Sequence, residues 1–100
     1  MNIQIHSLKF DADKKLLDFI EAKMKKLAQL NESMISAEIF LRLDKSDVQE
    51  NKITEIRVEM PRTSLFAKKQ CKSFEEATDQ AIDALKKQIT KQKEKIKKKI

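Results

Sequence analysis

From Asn2 to Leu8 apolar and polar residues alternate, with Ile3 and Ile5 on one side and Gln4 and His6 on the other. A period of two predicts a short half-buried strand. Asp11 or Asp13 then offers a helix cap. Leu16, Ile20, Met24 and Leu27 follow at spacings of four, four and three, which predicts one apolar helix face over about residues 13–30.

Alternation returns over residues 34–43, where Ile35, Ala37, Ile39, Leu41 and Leu43 oppose Glu38, Phe40 and Arg42. It returns again over 53–60, with Ile56, Val58 and Met60 opposed by Glu55, Arg57 and Glu59. These segments read as neighbouring strands joined by the polar stretch Asp44–Lys52. Pro61 has no N–H for a sheet ladder and marks a turn. Residues 64–71 give a weaker strand, suited to a sheet edge, where Lys68 and Lys69 discourage pairing with another sheet.

Ser73 and Glu76 form an S-x-x-E capping box. Behind it, Phe74, Ala77, Thr78, Ala81, Ile82, Leu85, Ile89, Gln92 and Ile96 fall on one helical stripe. The predicted order is β-α-β-β-β-α. It gives an α+β, two-layer sandwich: a four-stranded sheet with two helices on one face and a solvated second face bearing Glu38, Arg42, Glu55, Arg57 and Glu59. Strands of about eight residues span roughly 26 Å, and a helix over 74–99 spans roughly 39 Å. Its last turns are therefore expected to overhang the sheet.

Composition narrows the class. One hundred residues, 40% of them hydrophobic and 38% charged, fit one domain over residues 1–100. Gly is absent and there is one Pro, which removes Gly-rich phosphate loops and leaves turns to Asn, Asp and Ser. Asn31-Glu32-Ser33 and the stretch from Asp44 to Asn51 supply them. A single Cys excludes an internal disulfide and fits a reducing compartment. The polar-interleaved N-terminus is not a signal peptide, and no apolar run approaches the ~18 residues of a membrane span. The expected location is the cytoplasm.

Charge changes the picture most. Residues 86–100 hold eight Lys and one Glu, whereas the first 85 residues hold 14 basic and 15 acidic groups. Segregation of this kind points to a polyanionic partner. On a helical wheel Lys87, Lys91, Lys95 and Lys98 form one ridge. Lys86, Lys93 and Lys97 form another, across the apolar stripe. Lys15, Lys23 and Lys26 line one edge of the first helix's outer face, so packed helices would join them into one basic surface. The competing readings are a solvated tail that complements the helix dipole and an anionic membrane surface. The second is disfavoured by a tail with only three Ile as large hydrophobes. Eight Lys exceed what a dipole needs, and like charges at i,i+4 weaken a helix.

No catalytic constellation is visible. His6 stands alone on a strand, Cys71 has no ligand partner, and the carboxylates interleave with Lys. The expectation is no enzyme, no metal, no cofactor and no small-molecule substrate. Without an aromatic-rich strand for stacking bases, binding is expected to be to phosphates and shape.

The stretches D-F-I-E-A-K-M-K-K-L (Asp18–Leu27) and A-I-D-A-L-K-K-Q-I-T-K-Q-K-E-K-I-K (Ala81–Lys97) resemble the ribosome hibernation-promoting factor family, relatives of the ribosome-associated inhibitor. The second stretch carries that family's A/L-I-D-x-L segment and its Q-[LI]-T-K-x-K-[DE]-K-[LI]-K run. The resemblance implies a fold similar to double-stranded-RNA-binding domains. It also implies a ribosome hibernation factor of stress and stationary phase, one that binds the small ribosomal subunit at the decoding and messenger-RNA channel, blocks translation and preserves idle ribosomes. By position, it implies rRNA phosphate contacts from Lys23, Lys26, Lys86, Lys87, Lys91, Lys93, Lys95 and Lys97. The turn M-P-R-T departs from the Gly-rich turns frequent there. The chain also stops just after the basic helix, as in short forms, whose partners in well-understood bacteria include a ribosome modulation factor. The alternatives are a general RNA-binding module without ribosome preference and an interaction protein that docks its basic helix on an acidic partner.

Overall fold

The computed structural model describes residues 2–45 and 49–98, and side chains in its last helix as far as Gln92. Six elements succeed one another: β1 (Asn2–Ser7), α1 (Lys14–Leu30), β2 (Ser36–Leu43), β3 (Lys52–Met60), β4 (Thr63–Cys71) and α2 (Phe74–Lys98). The sheet runs β1-β2-β3-β4. β1 and β2 are parallel neighbours, with α1 as their crossover, and the other two pairings are antiparallel. This is the α+β two-layer arrangement expected from the alternation.

Register explains why one face is dry. Ile5, Ile39, Ile56 and Ala67 lie in one row across the four strands, and Ile3, Ala37, Val58 and Leu65 in another. Both helices cover these rows. Leu16, Ile20, Met24 and Leu27 of α1 join Phe74, Ala81, Ile82, Leu85 and Ile89 of α2 in one buried cluster with the strand residues. Each fully buried aliphatic side chain contributes about 1.5–3 kcal/mol by leaving water. One polar contact crosses the core: Thr54 and Thr78, both fully buried, place their hydroxyl oxygens 3.4 Å apart.

The opposite face carries His6, Phe40, Glu55 and Lys68 in one row. His6 stacks on Phe40 with ring centroids 4.9 Å apart. Arg42 reaches Glu55 at 2.7 Å, and Lys68 approaches the same carboxylate at 3.9 Å. The face is polar as expected, yet its charges are largely answered from within.

The caps follow the sequence. The Asp13 carboxylate accepts from the Leu16 backbone N–H at 2.8 Å, which opens α1. At the far end the Asn31 side-chain amide donates to the Leu27 carbonyl at 3.0 Å. In a chain without Gly, Asn31 takes over one of the orphan carbonyls a helix end leaves. The Ser73 hydroxyl accepts from the Glu76 N–H and starts α2. Phe10 stacks on Phe74, fixing the β1–α1 connection against that start.

Several details correct the sequence reading. β2 begins at Ser36, so Ile35 is 57% exposed and Met34 takes the buried place instead. Ile35 precedes the strand, so the alternation of β2 does not set its side, although its N–H donates to the Glu59 carbonyl at 2.8 Å. Ile53, on the polar face by register, is buried. In the M-P-R-T turn, Arg62 adopts φ 72°. That left-handed conformation disfavours a residue with a Cβ by roughly 1–2 kcal/mol, so this chain tolerates at Arg62 what Gly provides more readily. The expected edge strand is a full nine residues long.

Candidate nucleic-acid interface

The 3.6-residue period of α2 sorts its side chains into a stripe with two flanks. Ala77, Thr78, Ala81, Ile82, Leu85 and Ile89 are buried. Lys86, Lys87 and Lys91 are exposed beside them. Ile89 is the last α2 residue buried in the core cluster among the described side chains, and the helix continues to Lys98. At 1.5 Å per residue that continuation runs about 13 Å past Ile89.

The two flanks face different neighbours. Lys86 turns toward α1, where it lines a groove of about 280 Å³ with Lys23, Lys26, Leu27, Leu30, Asp79, Ile82 and Asp83. Its lining combines three apolar residues with three lysines and two carboxylates. Lys23 is pinned there: its ammonium lies 3.2 Å from the Asp79 carboxylate and 5.4 Å from the Phe19 ring centroid. Both contacts are part-exposed and modest in energy, about 0–1 kcal/mol each. Their effect is to hold the side chain at the mouth of the groove.

Lys87 turns the other way, toward β4, and lines a shallow depression with Lys69, Gln80, Asp83 and Ala84. Beyond both, Lys86, Lys87, Thr90 and Lys91 form a patch without a carboxylate among its lining residues. The Thr90 hydroxyl donates to the Lys86 carbonyl at 2.9 Å, so it competes for no lysine. Gln88 donates to the Phe66 carbonyl at 2.9 Å and ties α2 to the outer edge of β4. Positive potential therefore rises along α2. Glu75 and Glu76 occupy its first turn, Asp79 and Asp83 its middle, and Lys86, Lys87 and Lys91 the section beyond.

The structure thus unites Lys23, Lys26 and Lys86 on one groove and continues them through Lys87 and Lys91. Lys93, Lys95 and Lys97 lie on α2, but their side chains are outside the described residues. Lys15 is not among the residues lining the groove. Sequence reading missed Lys69, which the β4 register brings beside Lys87, and both aspartates. The spacing carried a signal: Asp79 and Asp83 are four apart, and Asp83 precedes Lys87 by four.

The chemistry available is cationic. Among the described residues no group of three or more His, Cys, Asp or Glu could hold a metal ion, and no helix is long and apolar enough to cross a membrane. Cys71 is buried at the end of β4. Burial pushes its thiol above the ordinary range, Glu76 and Glu50 add to the rise, and Lys69 opposes it.

Residues 3–97 match the family described as Sigma 54 modulation protein / S30EA ribosomal protein. No curated protein matches the chain. Among solved structures, the chain is similar to a ribosomal subunit interface protein from Coxiella burnetii. The TM-score is 0.83 at 20% identity, over 93% of this chain and 98% of that one. It is also similar to the N-terminal domain of Protein Y from Thermus thermophilus, with a TM-score of 0.76 at 22% identity over 91% and 98%. At such identities the two structures speak for the fold.

Proposed function

Because the chain belongs to the Sigma 54 modulation protein / S30EA ribosomal protein family, that of the hibernation-promoting factors, we propose that it is a ribosome hibernation factor. It binds the small ribosomal subunit at the decoding and messenger-RNA channel, stops translation there and preserves idle ribosomes under stress or in stationary phase. Residues 1–100 act as one cytoplasmic ribosome-binding domain, by occupying space and without catalysis.

One observation carries this reading. Lysines from two helices, Lys23 and Lys26 from α1 and Lys86 from α2, converge on one groove and run on into the acid-free patch at Lys87 and Lys91. A surface built from two helices meets phosphates at fixed separations, whereas a solvated tail would not. By their sequence positions on the helix, we assign Lys93, Lys95 and Lys97 to the same proposed contact. Contacts of this type position a protein on folded RNA through phosphate and shape rather than base edges. The printed name of one similar structure, a ribosomal subunit interface protein, is in keeping with a ribosomal partner.

Co-sedimentation of the purified protein with small subunits, with and without transfer RNA, tests the proposal. The expected result is pelleting with small subunits and displacement by transfer RNA. Equal binding to random duplex RNA, with no preference for small subunits, would favour a general RNA-binding module. Binding to neither would favour an acidic protein partner.

A further inference from the structure

Asp79 and Asp83 sit among the lysines of the α1–α2 groove, where a purely electrostatic anchor has no use for them. Asp79 holds Lys23 at 3.2 Å, with both side chains about half exposed. Asp83 lies on the crest of α2 and lines both the groove toward α1 and the depression toward β4. It therefore stands between Lys26 and Lys86 on one side and Lys69 and Lys87 on the other. Each carboxylate cancels part of the attraction a phosphate would feel there, and neither is buried or needed to satisfy a core group.

We infer that Asp79 and Asp83 are specificity-determining residues, which weaken the contact of a regular phosphate backbone with the α1–α2 groove and leave Lys23, Lys26 and Lys86 to phosphates whose spacing avoids the two carboxylates. This rests on the proposed ribosomal function and adds the means by which the basic surface avoids RNA at large. A uniform duplex laid along α2 sets its phosphates against the lysines and the two carboxylates alike. An RNA surface of irregular shape does not. It presents phosphates to the C-terminal section while placing hydroxyl or amino donors, or water, at the aspartates. Discrimination by a repulsive element lowers affinity for every target but lowers it most for the wrong ones. Pairing with Asp79 also makes Lys23 a conditional contact, available to a phosphate only when the ion pair opens.

The test compares the wild-type chain with Asp79→Asn/Asp83→Asn on two targets, purified small subunits and a short random-sequence RNA duplex. Glu75→Gln/Glu76→Gln is the control, since it removes the same two charges from the exposed first turn of α2, outside the groove. The aspartate variant is expected to bind the duplex about fivefold more tightly. Its salt dependence should steepen by about 0.7–0.9 in the log–log slope as Lys23 becomes free for a phosphate. Small subunits should gain less, so the preference for them falls, and the glutamate control should leave the preference intact.

An equal gain on both targets, or the same loss of preference in the control, would reduce the effect to net charge and overturn the inference. So would an unchanged slope with lower thermal stability, which would make Asp79 only a staple between the helices. Wild-type protein that shows no preference for small subunits would defeat the functional proposal itself, a result distinguishable from the others.

Discussion

Replacing Lys86, Lys87 and Lys91 together with Gln removes the acid-free patch and leaves the core untouched. All three side chains are exposed, and none belongs to the buried cluster that holds α2 to the sheet. Exposed substitutions of this kind usually change stability by less than about 0.5 kcal/mol each, so the melting curve should barely move. Binding should behave differently. Each lysine that meets a phosphate contributes about 0.7–0.9 to the slope of log affinity against log salt, so losing three flattens the slope by roughly 2–3. The variant's deficit then depends on salt. Between about 50 and 200 mM it should shrink by roughly 20- to 40-fold, because the wild-type affinity falls faster than the variant's. The assay is a salt titration of binding to small subunits, with circular dichroism to confirm the fold. Parallel lines for the two proteins would mean that these lysines do not meet phosphates, and the reading of the patch would be wrong.

Leu85→Ala, at a fully buried position of α2, should cost about 2–5 kcal/mol in denaturant unfolding; a loss well under 1 kcal/mol would contradict the packing of the stripe. Thr54→Val or Thr78→Val should each destabilise by about 1–3 kcal/mol by orphaning the other hydroxyl, with the double variant less damaging than the two costs added; strict additivity would deny the contact seen at 3.4 Å. The raised Cys71 pKa keeps the thiol protonated in the folded state. Alkylation near pH 8 should therefore be much slower than in denatured chain. As pH climbs through the ordinary thiol range, the unfolded chain ionises first, so stability should fall there in wild type and not in Cys71→Ala. A flat difference between the two would remove the proposed penalty.

Much of this fold can be read from period alone. Alternation located β1, β2 and β3, and the stripes on both helices match the residues found buried as far as Ile89, whereas Gln92 is half-buried and the side chain of Ile96 lies outside the described residues. Asp13 and Ser73 announced their helices because capping chemistry is local. The errors lie where local pattern meets the limits of the whole. Ile35 continues the alternation of β2 in the sequence but precedes the strand itself, and Met34 is buried in its stead. Ile53 is buried although the strand register sets it on the polar face. For the candidate surface, a helical wheel placed Lys86 and Lys87 on opposite flanks of α2 correctly. Which partner each flank meets depends on the packing of α1 and the register of β4. Hence the convergence with Lys23 and Lys26 could only be conditional, and Lys69 and the two aspartates went unnoticed.

The interleaving of stripe and ridges on α2 also fixes how this helix can change over generations. Each residue turns it by about 100°, so substitution alters one function at a time, whereas a change of length alters all of them at once. One residue inserted after Leu85 would carry Gln88 into the place of Ile89 and Lys91 into that of Gln92, while Ile89 swung into water. The connection between β2 and β3 faces no such rule, since a loop absorbs length without rotating the strand it leads into. The stretch from Ser73 to Gln92 should therefore vary among descendants in its letters but hold its count, and the insertions and deletions of a diverging lineage should collect elsewhere.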